Sequence, residues 1–89
     1  MRESRVERAL TNAVKARSGW AIKLLPSVAG LPDRIVLLPG GRIIFVELKA
    51  PGKNAGAHQL VVHGRLRRLG FEVVVLSSVS LVEEWAEAL

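Results

Sequence analysis

The apolar positions of this chain fall into blocks of two different periods. Val6, Leu10, Ala13 and Val14 share one stripe at helical spacing, which predicts a helix over 3–17. Ser18-Gly19 supplies its stop, glycine being suited to a helix C-terminus. Trp20 to Leu25 is a short strand candidate ended by Pro26, and 26–32, with two prolines and a glycine, is a loop. Arg34 to Leu38 is a branched apolar run, Pro39-Gly40-Gly41 a turn, and Arg42 to Lys49 a further strand. Ala50 to Gly56 is a basic loop carrying Lys53. A second helix is expected over 57–69, with Val62, Leu66 and Leu69 on its core side, Gln59 and His63 flanking them, and Gly70 beyond its end. Phe71 to Leu76 is a buried strand, and Ser78 or Ser80 can cap a last helix running to about Leu89.

The resulting order is α-β-β-β-α-β-α. The Pro39-Gly40-Gly41 turn makes one strand pair antiparallel, whereas the helix before the last strand permits a parallel crossover. The expected fold class is α/β, a mixed β-sheet flanked by helices. With 89 residues and no repeat or linker, the chain is expected to form one domain over 1–89.

Composition narrows the function classes. There are no cysteines, so disulfides and cysteine-based zinc sites are excluded. No apolar run reaches the roughly 20 residues of a membrane helix, and the charged start lacks a signal segment, so an intracellular protein is expected. Thirteen Lys and Arg against eight Asp and Glu give a net charge of +5, which suits a polyanionic partner.

The candidate chemistry lies at the ends of two adjacent strands. Side chains alternate along a strand, so Glu47 and Lys49 share one face while Leu48, Val46 and Ile44 point to the other. Asp33 joins Glu47 only if the turn has the right length. A two-residue loop would set Asp33 opposite Leu48, on the wrong face. A three-residue loop, Pro39-Gly40-Gly41, sets it opposite Glu47, with Cβ atoms about 4.5–5.5 Å apart. The three-residue loop is predicted.

Two carboxylates that close repel unless a cation sits between them. Their oxygens suit Mg²⁺ or Mn²⁺, and the Leu48 backbone carbonyl is a plausible further ligand. Lys49 would orient an attacking water or offset charge developing on a phosphate. Glu7, on the edge of the first helix's apolar stripe, is a candidate further metal or water ligand, with Glu3 the competing register. Gln59, opening the second helix, can hydrogen-bond a phosphate or a metal-bound water. His58 and His63 lie five apart, which does not fit one helical face, so no histidine metal site is expected. Arg34, Arg42, Lys53, Arg65, Arg67 and Arg68 are candidate phosphate contacts. Trp20, Trp85, Phe45 and Phe71 read mostly as core, which argues against a single-strand binder built on base stacking.

The strings Gly30-Leu31-Pro32-Asp33-Arg34-Ile35-Val36-Leu37-Leu38 and Phe45-Val46-Glu47-Leu48-Lys49-Ala50-Pro51-Gly52, then Gln59, then Arg65-Leu66 with Leu69-Gly70, closely resemble the VRR-NUC domain, a branch of the PD-(D/E)xK nucleases. The resemblance runs from Glu3 to about Val79. It implies a restriction-endonuclease-like fold and Mg²⁺- or Mn²⁺-dependent phosphodiester hydrolysis. It implies that Asp33 and Glu47 are metal ligands, Lys49 the catalytic lysine, Glu7 the first-helix acid and Gln59 the family's glutamine. Lys23 matches a frequent lysine in the preceding strand and is a further candidate DNA contact. Stand-alone members resemble Holliday junction resolvases that act as dimers on branched DNA, and the domain serves DNA repair within larger proteins.

The expectation is therefore a homodimeric, structure-selective endodeoxyribonuclease acting on four-way junctions in the cytoplasm of a bacterial or phage-infected cell, with no membrane attachment and no nucleotide cofactor. The alternatives are a nuclease on flaps or linear duplex, and a basic DNA-binding module without catalysis.

Overall fold

In a computed structural model, residues 4–25 and 27–89 are described. Glu3 and Pro26, expected to be a competing helix acid and a strand stop, lie outside them. The elements follow the expected order: α1 (Arg5–Lys15), β1 (Trp20–Lys23), β2 (Arg34–Leu38), β3 (Arg42–Leu48), α2 (Ala57–Arg68), β4 (Glu72–Leu76) and α3 (Val79–Glu87). Helix α1 starts at a reciprocal cap. The Ser4 hydroxyl accepts the Glu7 N–H at 3.0 Å, and the Glu7 carboxylate accepts the Ser4 N–H at 3.4 Å. At its other end Ser18, rather than Gly19, takes the left-handed conformation, with φ 60°. Helix α3 is capped by Ser78, whose hydroxyl accepts the Leu81 N–H, and not by Ser80.

The four strands stand in the order β1-β2-β3-β4. The pairs β1/β2 and β2/β3 are antiparallel and β3/β4 is parallel, as the intervening α2 allows. Leu38 pairs with Arg42 and Arg34 with Val46, so the turn is the three-residue loop Pro39-Gly40-Gly41. Gly40 and Gly41 both carry positive φ, near 80°, which that tight return requires of them.

This register sorts the two faces. Val36, Ile44, Val46 and Leu76 point to one side, where they bury against Leu10 and Val14 of α1 and Val82 of α3. Helix α2 lies on the other side and contributes nothing to that cluster. Val62 and Leu66 are half-buried on its inner face, as expected, and His63 beside them is fully buried, but Leu69, the C-cap residue, is 68% exposed. Trp20 also departs from its expected core role, at 66% exposed. The reason is topological. Helix α2 packs chiefly on β4, which leaves its face of β1 and β2 without a covering layer among the described residues.

Candidate active site

The register that closes the hairpin builds the site. Asp33 precedes β2 and lies across from Glu47 on the α2 side of the sheet. One Asp33 carboxylate oxygen accepts the Leu48 N–H at 2.8 Å, which fixes the side chain against the end of β3. Leu24 N–H to the Asp33 carbonyl, at 2.7 Å, ties the same residue back to the chain after β1.

Glu47 is 3% exposed. Its Oε2 accepts a hydrogen bond from Gln59 Nε2 at 2.9 Å and lies 3.5 Å from Lys49 Nζ. Its Oε1 is buried with no hydrogen-bond partner. Burial and the neighbouring Asp33 carboxylate push the Glu47 acid up to about 7, against the opposing pull of Lys49 and Gln59. A buried oxygen without a donor, beside a second carboxylate that it repels, is the electrostatic setting a hard cation would relieve. Oxygen donors of this kind fit Mg²⁺ or Mn²⁺. Among the described residues no group of three acidic or histidine side chains is close enough to hold a metal, so the acids that meet here are Asp33 and Glu47.

Gln59 reaches Glu47 because α2 begins beside it. Gly56 N–H donates to Gln59 Oε1 at 3.0 Å, so the amide both caps the helix and presents its nitrogen to the acid. The start of α2 is seated by Gly30. Its φ is +85°, and a Cβ there would meet the His58 carbonyl oxygen at 2.7 Å and Val62 Cγ2 at 2.8 Å. His63, one turn beyond Gln59, is fully buried with both ring nitrogens unpartnered. Burial, with Arg67 and Lys49 nearby, holds its pKa below the ordinary histidine value. Its place beside the apolar stripe is consistent with a half-buried packing or DNA-facing residue, but spacing alone does not show that the imidazole faces the sheet.

A cleft of about 480 Å³ opens beside Asp33 and Lys49, with Glu7, Lys23 and Arg34 also on its walls. Glu7 thus borders the site, but its Oε2 is held by Arg34 Nη2 at 2.7 Å. Its pKa is lowered by the Ser4 hydrogen bonds and Arg34, which outweigh the effect of burial.

The expected phosphate contacts divide. Arg34 is 8% exposed and spends its guanidinium on Glu7 and the Asp33 carbonyl, so it is an internal brace and not a surface contact. Arg42 lies at the far end of β3 from Glu47, paired with Glu72 through two 3.0 Å hydrogen bonds. Arg67 donates to the Val73 carbonyl at 2.9 Å. Lys23, Lys53, Arg65 and Arg68 are exposed.

Comparison with known proteins gives the family and the fold. No family model matches the chain. A protein of Acyrthosiphon pisum secondary endosymbiont phage 1 named "Putative nuclease p44" is 46% identical over 82 residues, covering 91% of this chain and 88% of its own length. A solved structure described as "VRR_NUC domain" superposes with a TM-score of 0.86 at 35% identity, over 93% of this chain and 91% of that one. Fold and relatives together define a nuclease. The chain belongs to the VRR-NUC family.

Proposed function

We propose that the protein is a metal-dependent, structure-selective endodeoxyribonuclease that hydrolyses phosphodiester bonds in branched DNA, four-way junctions above all. The observation that carries this reading is the Asp33–Glu47 pair across the β2/β3 hairpin, with Lys49 Nζ 3.5 Å from Glu47 Oε2.

Asp33, Glu47 and the Leu48 carbonyl are the residues that would hold Mg²⁺ or Mn²⁺. Along a strand, the N–H and C=O of one residue point to the same edge. Because the Leu48 N–H donates to Asp33, its carbonyl is directed to that side too. The cation would supply Lewis-acid polarisation of the phosphate and a more acidic water. Gln59 fixes the Glu47 carboxylate by its 2.9 Å hydrogen bond. Lys49 orients the water and offsets negative charge that grows on the phosphate oxygens as water adds and the phosphorus–oxygen bond to the sugar breaks. Glu7 faces the cleft as the water-ordering acid, with Arg34 keeping it ionised. Lys23, Lys53, Arg65 and Arg68 bind backbone phosphates. No nucleotide cofactor is required for this hydrolysis.

The proposed active form is a homodimer, placing two sites on the two strands of a symmetric junction. An apolar row across the sheet supports it. Trp20 (66% exposed) pairs with Leu37 and Leu37 with Ile43, and Phe71 (39% exposed) packs edge-on against Phe45, two residues along from Ile43. No helix among the described residues is long and apolar enough to cross a membrane, and the proposed site of action is the cytoplasm of a bacterial or phage-infected cell.

The test is to compare matched four-way junction, flap and linear duplex DNAs with Mg²⁺ or Mn²⁺, using Lys49→Ala as control. Paired symmetric nicks on the junction are expected. Equal cutting of all three substrates would refute structure selectivity, and metal-independent binding without cutting would leave a DNA-binding module.

A further inference from the structure

Three depressions in the surface join end to end, and only the first belongs to the site described above. The catalytic cleft, about 480 Å³, shares Val6 and Pro51 with a second depression of about 530 Å³. That one shares Arg5 and Val79 with a third, of about 240 Å³, which extends along α1 to Arg8 and Asn12. Together they make one groove. It leaves the cleft between Pro51 and the start of α1, passes the beginning of α3, and ends in the seam between the two helices.

We infer that this groove holds the sugar-phosphate backbone of the DNA strand flanking the cleaved bond, with Arg5 and Arg8 as its phosphate contacts. The inference rests on the nuclease reading and extends it to a surface on the opposite side of the sheet from α2.

Charge argues for that occupant. Arg5 and Arg8 are three apart on α1 and so lie on one side of it. Both are exposed, and among the described residues neither is in a salt bridge. Among the described residues, neither the second nor the third depression has a carboxylate in its lining. The only acid of α1, Glu7, is turned into the cleft and neutralised by Arg34. Among the described residues, an approaching polyanion therefore meets cations and small apolar surface along the groove, and carboxylates at the cleft where the chemistry is proposed.

Length fits as well. Arg5 to Asn12 spans about 10 Å at 1.5 Å per residue, equal to about three nucleotides of a duplex strand at 3.4 Å each. A protein partner fits less well, because none of the exposed large apolar residues lines these two depressions. Nor does the start of α3 need to act as an anion site: the Ser78 hydroxyl is already engaged by the Leu81 N–H.

The test uses the full chain. Affinity for a labelled four-way junction and a labelled duplex is measured over a range of salt without divalent metal, and single-turnover cutting is measured at saturating DNA with Mg²⁺. The variants are Arg5→Ala/Arg8→Ala, the charge-preserving Arg5→Lys/Arg8→Lys, and Arg65→Ala/Arg68→Ala on α2 for comparison. Alanine is a good helix former, and circular dichroism checks that α1 persists. We expect the alanine pair to weaken binding at least tenfold. Its salt slope should be shallower by about 1.8, the loss of two phosphate contacts. Its cutting rate at saturation should stay within twofold of the parent, and the lysine pair should recover most of the affinity. Unchanged affinity and slope in an alanine pair that folds, while the parent binds and cuts DNA, would overturn this inference and leave the nuclease reading intact. A parent protein that neither binds nor cuts DNA would overturn both.

Discussion

Gln59 Nε2 donates a 2.9 Å hydrogen bond to Glu47 Oε2, while Gln59 Oε1 accepts the Gly56 N–H at 3.0 Å. One amide thus closes the cap of α2 and fixes the buried acid of β3. Gln59→Glu separates the two duties. It keeps an acceptor for Gly56 and favours the helix start, yet sets a third carboxylate against Glu47. Cutting should fall about 10–100-fold, the usual cost of losing a group that orients a metal ligand, while the helix content is retained. A variant with parental activity would remove Gln59 from the account.

The Glu47 acid gives a pH signature in the metal-free protein. Its pKa is raised from 4.5 to about 7, so the folded state binds this proton more tightly than the unfolded chain does. The stabilisation is complete below pH 4.5 and is lost as pH rises through 7. His63 works the other way: its lowered pKa means its contribution is fully present only above the ordinary 6.5. Between pH 6.5 and 8, therefore, the thermal midpoint of the metal-free parent should fall, and Glu47→Gln should flatten that fall. Parallel profiles for the two proteins would contradict the assignment.

His63 carries no hydrogen bond despite full burial. An unsatisfied buried polar group costs about 1–3 kcal/mol. His63→Leu, similar in volume and without polar atoms, should raise unfolding stability by about that amount, measured by chemical denaturation. A loss of stability would mean that the imidazole is engaged in solution.

Gly30 and Gly40 have nearly the same positive φ, +85° and +82°, in opposite surroundings. At Gly40 a Cβ meets nothing within 4 Å, so Gly40→Ala should cost only the left-handed backbone, about 1–2 kcal/mol. At Gly30 the Cβ would strike the His58 carbonyl at 2.7 Å and force the start of α2 outward. Gly30→Ala should therefore lose more stability than Gly40→Ala and, by withdrawing Gln59, lose cutting as well. Equal stability losses would show that Gly30 does not seat α2.

Much of this molecule is legible in its sequence. Strand alternation puts Glu47 and Lys49 on one face, and the length of Pro39-Gly40-Gly41 fixes Asp33 opposite Glu47. What sequence does not carry is the rotation of α2 and the partners of long side chains. His63 flanks the apolar stripe and proves fully buried, whereas Leu69, expected on the core side, is exposed because α2 packs on β4 at one edge and ends before it. Arg34 reads as a surface cation, but its position beside Asp33 sends it inward to Glu7 across 27 residues of sequence. The aromatics read mostly as core, but Trp20 is exposed because no layer among the described residues covers its face of β1.

If Asp33 and Glu47 hold a divalent cation that enables DNA hydrolysis with Lys49, cutting must depend on that cation and on each of these side chains. The direct measurement is the initial rate of junction cleavage against Mg²⁺ or Mn²⁺ concentration for the parent, Asp33→Asn and Lys49→Ala. The account predicts a saturable metal dependence in the parent. It predicts at least a hundredfold loss in each variant, with Lys49→Ala still binding metal by calorimetry and Asp33→Asn binding it weakly or not at all. Cleavage that persists in chelator, or an Asp33→Asn protein that cuts at the parental rate, would contradict it.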